Sequence, residues 1–221
     1  MAHASNKVPS IPNYSTISRR VNNQDIRISE QQQQHVGNDI IIAVDSTGIK
    51  VANRGEWMRH KWPVRRGYLK IHVAVDIKNK KIISLEVTSE EVHDGKMLKK
   101  LVDNAFESNN VKGALADGMY DSNKNFRYLS KNHIKPGIKT RSNSKVRPTN
   151  GNARNMSVIR QQKNLKRWKH SVSSGQRWMA ETVFSSIKGT FGEYVTARKF
   201  QNMTKELILK ASLYNMFATM M

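Results

Sequence analysis

Cysteine is absent from the 221 residues, which rules out disulfides and thiolate-bound zinc. Acidic residues are scarce: 17 Asp and Glu stand against 38 Lys and Arg, giving a formal charge of +21. The cations run from Lys7 to Lys210 rather than gathering in one terminal arm. No stretch of 18 or more apolar residues reads as a membrane-spanning helix, and the opening MAHASNKVPS lacks the apolar core of a secretory signal. What is present suffices for one domain of about 150 to 200 residues plus a tail. Its positive field attracts polyphosphate and loses hold as salt rises, so nucleic acid is the expected partner, with an anionic membrane surface or a ribosomal setting as alternatives. A cytoplasmic, nucleoid-associated location is the matching expectation.

Residues 1–38 are polar, carry the Gln31 to Gln34 run and show little periodicity, so most of this segment is expected to be poorly ordered. Within it, YSTISRRV (Tyr14 to Val21) places Ile17 and Val21 at helical spacing behind Ser15, a candidate cap. That is either a short basic helix or the end of a helix-turn-helix unit.

A different texture begins at Asp39, and residues 39–221 form the expected folded domain. DIIIAVDSTGIKV reads as a buried strand, and Tyr68 to Asp76 with Ile82 to Val87 as a hairpin across a KNKK turn. His93 or Asp94 then caps a helix bearing Met97, Leu98, Leu101, Val102 and Phe106 on one face. Val111 to Ala116 predicts a fourth strand, Ser122 to Asn132 a helix and Ile134 to Lys139 a fifth strand. Between 140 and 170 lie nine cations and no acid, which is either a solvated loop or a phosphate-facing surface. A helix holding Glu181 and a last helix over 206–220 complete the order.

RWMAETVFSSIK is the most informative stretch. At about 100° per helical residue, Arg177, Glu181 and Lys188 share one narrow stripe, while Ala180, Val183 and Ile187 form a separate apolar one. An ordinary i,i+4 ion pair gives the same pattern. Two further acids alter its weight. Asp45 sits inside the first apolar run, where an unpaired carboxylate would cost several kcal/mol. Asp117 ends the fourth strand, and neighbouring parallel strands bring such ends together where ligands bind. Three carboxylates converging in so basic a chain call for divalent cations, and all-oxygen ligation favours Mg²⁺ or Mn²⁺. Singly, Asp45 also suits a Ser46-Thr47-Gly48 turn and Asp117 a plain Asp-Gly turn. Asp121 is expected to cap the following helix and Asp76 to belong to its hairpin turn.

On these residues the chain resembles the DDE transposases of bacterial and archaeal insertion sequences, in the group whose third acid lies in a Y-x2-R-x3-E-x6-K signature. IIAVDSTGIK is similar to the first-acid strand, ALADGMYDS to the second-acid strand and turn, EVTSEEVHDGKML to the segment after the third strand, and RWMAETVFSSIK to the third-acid helix. The resemblance implies an α/β fold, a ribonuclease H-like five-stranded mixed sheet flanked by helices. It implies Asp45, Asp117 and Glu181 as catalytic and metal-binding residues, two Mg²⁺ or Mn²⁺ ions, and Arg177 and Lys188 as phosphate-binding cations. The implied activity is hydrolysis of phosphodiesters at element ends and strand transfer to target DNA; the alternative is a non-catalytic DNA-binding remnant. Double-stranded DNA is the implied partner, and paired end cleavage implies a homodimer. Ser174 stands where the signature has tyrosine, and the region before the first strand is shorter than usual for the group, so an N-terminally truncated copy is expected. Trp57 and Trp62, in the basic loop GEWMRHKWPVRRG, either stack on a displaced base or anchor the loop.

Overall fold

Ile40 to Val44 is too apolar to lie at a surface, and it runs through the middle of the sheet. The computed structural model describes residues 12–26, 28, 39–52, 68–146 and 152–220. Five strands follow the expected bounds closely: β1 (Asp39–Val51), β2 (Tyr68–Asp76), β3 (Ile82–Ser89), β4 (Asn110–Ala116) and β5 (Lys135–Ile138). Their spatial order is β3-β2-β1-β4-β5. β2 lies antiparallel to β1 and β3, whereas β4 runs parallel to β1 and β5 parallel to β4. Asp76 takes its expected turn role, accepting from the Lys78 amide at 3.0 Å and from Asn79 at 2.6 Å.

Alternation along the strands supplies two cores. On one face Ile40, Ile42, Val44, Ala74 and Ala114 meet helices α2 (Leu98–Phe106) and α3 (Asn123–Lys131) through Leu98, Leu101, Phe126 and Leu129. On the other, Ala43, Ile49, Val73 and Leu115 meet the helix carrying Glu181 and the last helix. Each such Val, Leu or Ile side chain, fully buried, is worth about 1.5–3 kcal/mol, so the register of β1 is strongly fixed: a slip of one residue would turn every side chain to the wrong face. This is the α/β, ribonuclease H-like arrangement of a mixed sheet flanked by helices.

Four local expectations need correction. The helix α1 (Tyr14–Asn23) is capped by Asn13, not Ser15: the Asn13 side chain accepts from the Ser15 amide at 3.4 Å. The segment 140–170 is not a loop throughout but contains α4 (Ala153–Lys163) and α5 (Leu165–Ser171). Asn152 and Asn164 cap them, and buried Val158 and Trp168 anchor them, a pairing too sparse to read as a periodic apolar face. Ser122, rather than Asp121, caps α3 by accepting from the Asn125 amide at 3.2 Å. A sixth strand, β6 (Tyr194–Val195), pairs in parallel with Lys50 and Val51; two residues are too few to leave a period in sequence. Between α5 and β6 lies α6 (Trp178–Phe191), and α7 (Phe200–Met220) follows β6. Among the described residues, no helix is long and apolar enough to cross a membrane.

Candidate active site

β1 and β4 bring two of the predicted acids together by register alone. Ala43 pairs with Leu115, and both belong to the core beneath α6 and α7. Two residues further along each chain stand Asp45 and Asp117. The backbone of Asp117 is still extended (φ −84°, ψ −176°), so the two-residue period carries its side chain to the face of Leu115, as it carries Asp45 to the face of Ala43. The turn role of Asp117 and a role in the site coexist: one carboxylate oxygen accepts from the Met119 amide at 2.8 Å and opens a short 3₁₀ turn over Gly118–Tyr120.

Asp45 is largely enclosed, its side chain 18% exposed. Burial pushes its carboxyl above the usual range; the Ser46 amide, donating at 2.8 Å, and Arg177 oppose that rise, while the charges of Asp117 and Glu181 add to it. Asp45 thus feels the charges of the other two acids.

The third acid arrives on α6. Ala180, Val183 and Ile187 are buried as their spacing predicts and dock the helix on the sheet. Arg177 precedes α6 at the end of a 3₁₀ turn over Ser174–Arg177, with helical backbone angles that keep it in phase with Glu181. Its guanidinium donates to Asp45 at 3.2 Å and to Glu181 at 2.7 Å. Lys188, at the other end of the stripe, donates to the Thr47 hydroxyl at 2.9 Å, two residues beyond Asp45 on the same face of β1. All five residues singled out in the sequence therefore gather over one patch of β1, β4 and α6. Trp57 and Trp62 lie outside the described residues.

Behind the sheet is a polar layer that the sequence did not reveal. His72, wholly buried on β2, accepts or donates one hydrogen bond with Thr88 at 2.9 Å, and burial drops its pKa to about 4, so the ring is neutral near pH 7. Tyr120 is buried too; burial first, then the charges of Asp94, Asp45 and Asp117, raise its pKa above the ordinary phenol range. Asp94 accepts from Lys70 at 2.9 Å. Asn125 ties this layer to the Asp117 turn, donating to the carbonyls of Gly95 at 3.0 Å and Tyr120 at 2.9 Å. A Cβ at Gly95 would come within 2.9 Å of the Met119 carbonyl, so that close approach requires glycine. The only sequence signal for this layer was HDG following a strand, which reads equally well as a helix cap.

Among the described residues, no group of three His, Asp or Glu side chains is disposed to hold a metal ion. The donor chemistry nevertheless fits a hard divalent cation: carboxylate oxygens come from three elements, and a positive group already sits between two of them, the guanidinium of Arg177.

A family model described as a transposase DDE domain matches residues 37–216, and a second with the same description matches residues 4–54. The first spans most of the chain, so the protein belongs to the DDE transposase domain family, with the sheet and flanking helices that define it.

Proposed function

We propose that this chain cleaves DNA at the ends of an insertion element and joins the freed strand to target DNA, with Asp45, Asp117 and Glu181 as its catalytic carboxylates. The carrying observation is the register of β1 against β4, which sets two acids level on one face while Arg177 draws the third to the first. Asp45 and Asp117 would hold the cation, with Glu181 joining once Arg177 releases it. Bound Mg²⁺ or Mn²⁺, two ions in the expected arrangement, would supply Lewis acidity and a strong nucleophile at neutral pH. In hydrolysis a water oxygen attacks phosphorus in line and the bond to the 3′-oxygen breaks, leaving a 3′-hydroxyl and a 5′-phosphate. In strand transfer that hydroxyl attacks a target phosphodiester and displaces the target's own 3′-oxygen. Arg177 and Lys188 suit phosphate contact beside the acids, the first by its planar fork and the second as a point charge.

Residues 1–38 are, in this reading, the remnant of a helix-turn-helix DNA-binding region ahead of the catalytic domain over 39–221. Double-stranded DNA is the partner, the nucleoid the place of action, and a homodimer the form that cleaves two ends. The test is metal-dependent nicking of DNA carrying the terminal inverted repeats, with loss in Asp45→Ala, Asp117→Ala and Glu181→Ala. Undiminished nicking by the triple variant would refute the assignment.

A second reading, a DNA-binding remnant without catalysis, is favoured by one observation: Arg177 pairs with both Asp45 and Glu181, so two of the three acids already share a cation without metal. Salt-sensitive DNA binding with no cleavage of cognate ends by the wild-type protein would establish it.

A further inference from the structure

Asp121, four residues beyond Asp117, has a side chain with no exposure to solvent, and it lies outside the triad. Arg154 of α4 donates to its two oxygens at 2.6 and 2.9 Å, the Arg141 amide donates at 3.1 Å and the Ser144 hydroxyl at 3.0 Å. Arg154 also reaches the Ser144 hydroxyl at 2.9 Å. So complete a set of donors around one carboxylate fastens the segment after β5 to the turn that follows Asp117.

Gln161 and Gln162 hold the same segment from the other side. The Gln161 amide oxygen accepts from the Thr140 amide at 3.0 Å and its nitrogen donates to the Ile138 carbonyl at 3.1 Å. Gln162 donates to the Ser144 carbonyl at 3.0 Å. The backbone of 140–144 is thereby fixed at several points, while the side chains of Lys139, Arg141, Ser142 and Asn143 stay outside. These line an open groove of about 690 Å³ that starts at Gly118, beside Asp117, and is closed opposite by Gln161 and the exposed Leu165. Arg141 donates through Nε to the Gly118 carbonyl at 3.2 Å, which ties its guanidinium to the residue that follows Asp117.

We propose that this groove binds the sugar-phosphate backbone of DNA flanking the cleaved bond, with Arg141 and Lys139 on the phosphates and Leu165 against a sugar. Asp121 and Arg154 act as positioning residues that hold the groove in register with Asp117. A merely solvated basic loop would need neither a largely enclosed ion pair nor two glutamines bonded to its backbone. Rigid placement of cations lowers the ordering cost of binding and suits a site that must present one bond to a fixed set of acids. This inference rests on the reading of the acids as a DNA-cleaving site, but its test needs no cleavage.

The experiment is equilibrium binding of a fluorescein-labelled 30-base-pair DNA duplex to the full chain in EDTA, across a salt series. Arg141→Ala and Lys139→Ala are each expected to weaken binding about tenfold and to flatten the plot of log K against log salt by about 0.9 for each lost phosphate contact. Lys112→Ala, at the opposite end of β4, is expected to leave affinity and slope nearly unchanged. Asp121→Asn should flatten the slope as well while the protein stays folded by circular dichroism. Unchanged affinity and slope in both Arg141→Ala and Lys139→Ala would overturn the proposal, as would losses confined to duplex RNA. Absence of cleavage by wild-type protein, with these binding losses intact, would refute the catalytic reading and leave the groove standing.

Discussion

Arg177 donates to the carboxylate of Asp45 at 3.2 Å, across 132 residues of chain. The same guanidinium holds Glu181 at 2.7 Å, so one side chain closes the gap between the first and third acids. It lowers the pKa of Asp45 against the burial that raises it. Replacing Arg177 by Ala should therefore move the Asp45 carboxyl further up, which carboxyl-carbon NMR titration would read directly. Cleavage should fall by at least about tenfold, because removing a charge-assisted hydrogen bond costs about 1.5–3 kcal/mol.

Asp45→Asn should separate stability from activity. With the folded carboxyl raised, the native state binds its proton more tightly than the unfolded chain does, so ionisation above the ordinary carboxylate pKa weighs against folding. Removing that charge should leave the metal-free protein as stable as the wild type or more so by thermal melting, while nicking is lost. Added Mn²⁺ should raise the Tm of the wild type by mass action and should not raise that of the variant.

Asp121 should behave in the opposite way. Burial pushes its carboxyl up, but the bonds from Arg154, the Arg141 amide and Ser144 prevail and hold it below the usual range. Its contribution to stability is accordingly complete above the ordinary carboxylate pKa and lost as pH falls through the lower folded value. Asp121→Ala leaves the guanidinium of Arg154 buried without its partner and should cost about 3–5 kcal/mol at pH 7. Urea unfolding at pH 7 and at pH 3 would show the wild type converging on the variant in acid.

Asn215 fastens the last helix to the edge of the sheet. Its side chain accepts from the Ile82 amide at 2.8 Å and donates to the Ile82 carbonyl at 2.8 Å, in a buried setting. Asn215→Leu strands both backbone groups, each worth about 1–3 kcal/mol when left unsatisfied. A loss of about 2–4 kcal/mol in urea unfolding is the expected outcome.

The succession of strands up to β5 was legible because each strand of this chain carries its own period and turn: KNKK marks the hairpin, and DIIIAV reads as buried, although the order of the strands across the sheet was not legible. The apolar stripe of α6 was legible for the same reason. Contacts between elements far apart in the chain were not. Nothing near Asp121 names Arg154, 33 residues on, and a residue placed before Ser122 reads as a cap on propensity alone. Arg177 and Lys188 were recognisable as cations beside the acids; that one would bridge two acids and the other meet Thr47 depends on how α6 crosses β1. His72 and Tyr120 left no signal, since a histidine inside a strand pattern is silent about which buried group faces it.

The measurement that bears most directly on the account is nicking of DNA carrying the terminal inverted repeats in Mg²⁺ and in Mn²⁺, comparing wild type with Asp117→Asn. Asp117 is the member of the triad that Arg177 does not touch, so its replacement disturbs the metal-free ion pairs least. The expected result is metal-dependent nicking by the wild type and none above background by the variant. Equal nicking by the two proteins would contradict the role given to Asp117.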